Sequence, residues 1–361
     1  MTKQPTIPPS AQEGDRVAVV APGRAIGERR DKAFNLGLER LEKQLGVKTE
    51  LVGNVRNTPA DSKSPEVRAE EVEEAFRSEE YSAVIAASGG ADQIRILKHL
   101  DEQTLRDNPK RFFGISDSTN LQLFLWNLGI ASYYGGQILP DLSRIRLEGS
   151  YTERHLRKAL MDDSLGEIQP SDTYADSFPD FEDSEQMRRQ PSTENHGYSW
   201  YSDTPREISG RTWGGCLEIV RWWLETDRFM PEPERLEGEI LLLETSEDRP
   251  STNYVRWFLR SMAERELLQR FSAILVGRPK SEPSKTRTTG SGPYKDLEPS
   301  PEASQYRQNQ RKTIQRILDS YSIEIPVVFG LDFGHTAPTC CMPVGGRLRL
   351  DTSDQTISHV D

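Results

Sequence analysis

Through the first third of the chain, short apolar runs alternate with amphipathic stretches long enough to be helices. "DRVAVVAPG" reads as a strand closed by a turn, and "ERRDKAFNLGLERLEKQLG" as a helix. "KTELVG" is a second strand and "SPEVRAEEVEEAFRSEEYS" a second helix, whose Ser64 and Glu66 suit its start. "SAVIAASGGAD" and "RFFGIS" give two more strands, with "DQIRILKHLDEQTLRDNP" between them read as helix. Parallel strands need a crossover that a helix fills, so this alternation predicts an α/β fold on a parallel sheet. Reactive groups in such sheets gather beyond the carboxyl ends of the strands. Those ends carry Pro22-Gly23, Ser88-Gly89-Gly90 and Ser116-Asp117.

The alternation stops near residue 160, which bounds a first domain at 1–160. Residues 161–208 are acidic and rich in Pro and Ser, yet dotted with Tyr, Phe and Trp. A solvated linker is normally poor in aromatics, so a loop covering a substrate is the competing reading. A second domain, 209–361, begins at "GRTWGGCLEIVRWWLE", read as a Gly-rich turn opening a helix, and continues through the strands "GEILLLE", "SAILVG" and "IPVVFGLDFG". Residues 280–305 read as an exposed excursion, and "GRLRLDTSDQTISHVD" as a terminal strand pair.

Composition narrows the function. The 361 residues carry a net charge of -11, which disfavours a nucleic-acid polymer as partner because phosphate binding needs a basic face. No run approaches a membrane span, and "MTKQPTIPPSAQEGD" lacks an apolar signal core, so the expected location is cytoplasmic, off the membrane. Three cysteines, Cys216, Cys340 and Cys341, without C-x-x-C spacing, point to reduced thiols rather than to disulfides or a zinc site. G-x-G-x-x-G is absent, so no cofactor and no metal is expected.

The sharpest local signal is "RFFGISDSTNLQLFLWNLG", where an apolar strand turns into a helix on Ser116 with no loop between. Ser116 and Asp117 either cap that helix or the turn presents Ser116 as a nucleophile, which then needs a base and a group to orient it. Among five histidines, His99 and His155 fall in charged helices and are expected in solvent. His196 lies in the irregular stretch and His359 next to the C-terminus. His335 differs, because it follows the apolar strand "IPVVFGLDFG". Glu244 ends another buried strand, where a carboxylate is costly unless paired, and is the best partner for that imidazole. Glu247 and Asp248 come later and suit the start of the helix expected from 251. The backbone N–H of Asp117, at a helix start, and that of Gly90 are candidate donors to an oxyanion.

Four segments, "GISDST", "WGGCLEI", "LLLETSED" and "GLDFGHTAP", resemble the serine LD-carboxypeptidases in order and approximate spacing from about residue 15 onward. The resemblance implies a flavodoxin-like parallel-sheet N-terminal domain, a smaller swivelling β/α C-terminal domain and a homodimer. It also implies a triad of Ser116, Glu244 and His335, with the amides of Asp117 and Gly90 binding the oxyanion. Within the family the chain looks most like the microcin C immunity branch, which cleaves a small aminoacyl-nucleotide substrate and stacks its base on a loop aromatic, here Trp200, Tyr198 or Phe181. A murein tetrapeptide carboxypeptidase is the alternative. The chain departs from the family at "GGCL", where many members have "GGNL", and at "GGAD", where a GGY-type turn is common; these departures bear on substrate identity rather than on catalysis. A non-catalytic binding protein on the same scaffold is the rival from another class.

Overall fold

Val17 to Val20 are wholly removed from solvent. A strand buried on both faces must lie inside a sheet covered by helices on each side, as parallel strands are. The computed structural model of the protein describes residues 4–56, 63–202, 204–282 and 300–360.

In chain order the first part runs β1 (Arg16–Val20), α1 (Asp31–Leu45), β2 (Lys48–Leu51), α2 (Pro65–Arg77), β3 (Tyr81–Ala86), α3 (Glu102–Asp107), β4 (Arg111–Gly114), α4 (Thr119–Leu128), β5 (Ser132–Tyr134) and α5 (Tyr151–Met161). Three short strands follow: β6 (Thr173–Tyr174), β7 (Thr193–Glu194) and β8 (Ser199–Tyr201). The remainder runs β9 (Glu207–Cys216), α6 (Leu217–Thr226), β10 (Ile240–Glu244), α7 (Thr252–Glu264), β11 (Ala273–Gly277), α8 (Pro301–Ser320), β12 (Val327–Leu331), β13 (Met342–Val344), β14 (Arg347–Asp351) and β15 (Thr356–His359).

Two sheets organise these elements. The first has the order β13-β5-β4-β3-β1-β2. Its strands β1 to β5 are parallel in the flavodoxin order 2-1-3-4-5. The order reverses between β1 and β3, so the crevice for a ligand opens beyond Val20 and Ala86. The second sheet has the order β15-β14-β9-β10-β11-β12-β8, with a parallel centre and antiparallel edges. β13 crosses back to pair antiparallel with β5, Met342 against Tyr134. Trp223 of α6 is fully buried, and its indole N–H donates to Asn120 of α4 at 2.9 Å, a second tie between the parts. Among the described residues no helix is long and apolar enough to cross a membrane.

Several local expectations need correction. Residues 93–107 do not make one helix but two 3-10 turns, Gln93–Arg95 and Leu97–His99, before the short α3. Asp101 starts α3, accepting the Gln103 N–H at 3.1 Å. Gly214 and Gly215 are not a turn, because both stay in the β9 ladder opposite Leu242 and Leu243. His155 is not on the surface: it is buried, its ring tilted at 38° against the Tyr151 ring with the centroids 4.2 Å apart, and burial pushes its pKa down to about 3. The charged residues flanking His155 follow the outer face of α5, while His155 lies on the inner one with Thr152, Leu156 and Ala159. His99 is part-buried beside Glu66, 3.2 Å away. The core of the 280–305 excursion, 283–299, lies outside the described residues.

Candidate active site

β4 ends at Gly114, and the chain turns through a 3-10 segment, Ser116–Ser118, directly into α4. Ser116 sits at φ 60°, the left-handed region that a residue with a side chain enters only at a cost of roughly 1–3 kcal/mol. A cap needs no such conformation, since Ser64, Ser150 and Ser251 cap their helices from extended backbone. The strained serine stands at the crevice, where the turn after β3 packs on it: a Cβ on Gly89 would lie 3.3 Å from Ser116 Cβ.

The Asp117 side chain locks that turn. Its fully buried carboxylate accepts from the backbone N–H groups of Asp92 and Gln93 at 3.0 and 3.1 Å, and from Asn120 Nδ2 at 2.9 Å. Burial pushes the Asp117 pKa up to about 6 against these donors. A Cβ on Gly90 would fall 2.9 Å from Asp117 Oδ2, so the turn needs glycine there to close on the carboxylate. Arg68 of α2 then ties both crevice turns together, donating to Pro22 O and Gly23 O at 2.7 and 3.1 Å and pairing with Asp92.

The second sheet supplies the other half. Glu244, the last residue of β10, is buried, and its Oε2 lies 2.8 Å from His335 Nδ1. His335 is reached through Gly334 at φ 104°, after β12. Its loop is clamped twice. Arg144 donates to His335 O at 3.0 Å and to Thr336 O, and Asp332 accepts from Ser171 N and Oγ while pairing with Arg278 at 2.7 Å. Glu218 holds the turn after Glu244 by accepting from Ser246 N and Oγ at 3.0 and 2.6 Å.

Tyr134, at the end of β5, connects the halves. Its hydroxyl accepts from Ser116 N at 2.9 Å and donates to Glu244 Oε1 at 2.5 Å. The expected Ser116, Glu244 and His335 are thus joined through a residue that the sequence reading overlooked. The only hint was its register, since Tyr134 pairs with Gly114 beside the elbow.

The outer imidazole nitrogen brings a correction. Glu247 does not serve the start of α7, which Ser251 caps; its Oε2 lies 3.1 Å from His335 Nε2. Among the described residues no hydrogen bond joins Ser116 Oγ to His335. Burial disfavours the imidazolium, but Glu244 and then Glu247 outweigh it and raise the His335 pKa well above its ordinary value. Glu247 responds in kind. Burial pushes its pKa up, yet the hydrogen bond and charge of His335, with Arg30 behind, bring it down to about 2.

The loop aromatics are placed less centrally. Trp200 sits in β8, in register with Val328 of β12. Tyr198 donates to Gln169 O at 3.1 Å, and Phe181 packs against Phe178 at 6.3 Å. Phe178, which the sequence reading passed over, has Arg144 over its ring at 5.6 Å and Lys280 at 5.0 Å, and so adjoins the clamp on His335. Cys216 donates its backbone N–H to Thr119 Oγ1 at 3.1 Å, and burial, with Glu218 and Glu244 nearby, keeps its thiol protonated. All three cysteines are free and buried.

Known proteins share this arrangement of domains. The microcin C7 self-immunity protein MccF of Escherichia coli is 24% identical over 296 residues, covering 81% of this chain and 77% of that protein. A probable murein peptide carboxypeptidase of Bacillus subtilis (strain 168) is 23% identical over 353 residues, covering 97% and 92%. An MccF-like protein from Streptococcus pneumoniae, crystallised in complex with AMP, superposes with a TM-score of 0.81 at 25% identity over 96% of this chain and 99% of that one. Residues 17–135, which hold the serine elbow and Tyr134, match the LD-carboxypeptidase N-terminal domain, and residues 209–350, which hold Glu244 and His335, match the LD-carboxypeptidase C-terminal domain. With both halves of the site inside these two matches, the chain belongs to the LD-carboxypeptidase family, whose members are hydrolases.

Proposed function

We propose that this hydrolase cleaves an amide through an acyl-enzyme on Ser116, with His335 as base and Glu244 as its orienting acid. The observation that carries the reading is the connected path Ser116–Tyr134–Glu244–His335 at a strained strand-to-helix turn. In the reaction, His335 Nε2 leaves Glu247 and takes the Ser116 proton while Oγ attacks the carbonyl carbon. The amides of Asp117 and Gly90 receive the developing oxyanion. The same proton passes to the leaving nitrogen, and water, deprotonated in turn by His335, hydrolyses the ester.

The substrate in this proposal is a peptidyl or aminoacyl nucleotide of the microcin C kind. The likeness to MccF, solved in complex with aspartyl sulfamoyl adenosine, supports it. Base stacking would fall to an aromatic between 161 and 208, where Phe178 joins Phe181, Tyr198 and Trp200 as a candidate. The relative named for murein peptides supports the second reading, a tetrapeptide carboxypeptidase. The proposal also takes the enzyme to be cytoplasmic and homodimeric. Purified protein is expected to hydrolyse aspartyl sulfamoyl adenosine and to leave a murein tetrapeptide ending in D-alanine intact. Turnover of the tetrapeptide alone would establish the second reading, and reversible binding without turnover of either would favour a binding protein.

The Glu247 pair makes the pH profile informative. A carboxylate against Nε2 favours imidazolium, and the base must be neutral to act. Glu247→Gln removes that charge, lowers the pKa of His335, and should move the acid limb of kcat/KM to lower pH by roughly a unit. A limb that stays where it is in wild type would show that Glu247 leaves His335 before the pH-controlled step.

A further inference from the structure

We infer that Tyr134 is a positioning residue that fixes the serine elbow and the Glu244–His335 pair relative to each other across the two sheets. The inference rests on the roles proposed for Ser116, Glu244 and His335, and concerns a residue to which those roles give no part.

The direction of its hydrogen bonds follows by elimination. A backbone N–H can only donate, so the phenol oxygen must accept from Ser116 N, and its single proton is left for Glu244 Oε1. Burial, and then the Glu244 carboxylate, push the Tyr134 pKa well above its ordinary value, so that proton stays on the phenol throughout the working pH range. Glu244 therefore has a donor on each oxygen, Tyr134 on Oε1 and His335 on Oε2. With both held, the plane of the carboxylate is set, and with it the plane of the imidazole. A buried carboxylate held by one donor would be free to rotate.

The ring is as constrained as the hydroxyl. Phe333, two residues before His335, meets it edge-on at 5.9 Å and 85°. A Cβ on Gly215 would lie 3.0 Å from Tyr134 Cε2, so the end of β9 is packed on the ring. Tyr134 thus touches β9, β10 and the His335 loop of the second sheet while standing in the first. Its bond to Ser116 N also takes that amide out of the set that can serve the oxyanion. The N–H of Ser116 is committed to the phenol, leaving the task to groups such as the Asp117 and Gly90 amides.

Electrostatics supplies the readout. The phenol proton offsets part of the Glu244 charge that His335 feels. Tyr134→Phe keeps the ring and removes the hydroxyl, and with it both the acceptor for Ser116 N and the proton on Glu244 Oε1, so Glu244 should hold the imidazolium more strongly. The other charged and titratable groups facing this pair stay in place: Glu247 after β10, Asp141 and Arg144 after β5, Cys216 at the end of β9 and Glu218 at the start of α6.

The experiment compares wild type, Tyr134→Phe and Ser116→Ala by steady-state kinetics across pH on aspartyl sulfamoyl adenosine and the murein tetrapeptide. Ring-nitrogen NMR of His335 in the same three proteins gives its titration without turnover. For Tyr134→Phe, kcat should fall on the order of 100-fold with KM within about threefold, as for a misplacement of reacting groups. Its His335 titration and the acid limb of kcat/KM should both move up by roughly half a pH unit. Tyr134→Phe with wild-type kcat, or with a wild-type His335 titration in a folded protein, would overturn the inference. Full turnover by Ser116→Ala is a separate result: it would end the proposed reaction, while the titration would still report whether Tyr134 acts on the pair.

Discussion

Ser116→Ala is expected to lower kcat on the order of a millionfold, the loss seen when the nucleophile of a serine triad is removed. The variant is a fair test because little else depends on the hydroxyl. The elbow is held through the backbone N–H of Ser116 on Tyr134 and through the Asp117 carboxylate on the neighbouring turn, and alanine leaves both intact. Alanine also carries the same Cβ and meets the same strain at φ 60°. The thermal midpoint should therefore stay close to wild type while turnover vanishes. A loss below tenfold in steady-state hydrolysis would sink the assignment of Ser116 as nucleophile.

The second large effect comes from a residue with no side chain. Gly334 has φ 104°, and a Cβ there would lie 2.3 Å from Glu244 Oε2, 2.8 Å from its Cδ and 2.9 Å from its Cγ. The atom that would be struck is the one that receives His335 Nδ1, and Glu244 has no room to retreat because Tyr134 holds its other oxygen. Gly334→Ala should separate the acid from the imidazole and cost on the order of 10³- to 10⁴-fold in kcat, comparable to losing the orienting acid of a triad. The substitution also places a Cβ in unfavourable backbone space, so some stability goes with it. Kinetics and thermal unfolding measured on one preparation separate the two. If the remaining activity merely tracks the folded fraction, the geometry of Glu244 was not what the glycine protected.

What could be read from the sequence was local. Ser116, Glu244 and His335 each end an apolar strand, and a polar residue in that setting stands out against its neighbours. The parallel sheet was legible for a similar reason, since strand and helix periodicities alternate along one stretch of chain. Contacts between distant segments left no such trace. Tyr134 looks like any strand tyrosine until β5 is laid beside β4 and β10 is brought opposite. Glu247 has the right spacing for a helix start, and only the fold turns it towards His335. His155 misled because charge along a helix reports one face, and the histidine occupied the other. The failed helix over 93–107 has a local cause, as Asp101 and Asn108 suit caps better than helix interior and Asp101 does cap α3.

The return of β13 to the first sheet bears on how the chain is made. A ribosome delivers β5 well before the strand that closes its edge, with about 200 residues between Tyr134 and Met342. At synthesis rates of about 5 to 20 residues per second, that edge waits roughly 10 to 40 s. During this interval the nascent sheet offers unpaired backbone groups to any other extended segment nearby. The last strands of the chain therefore act as a cap on the first sheet, and a message truncated before residue 342 would release a product with its β5 edge open.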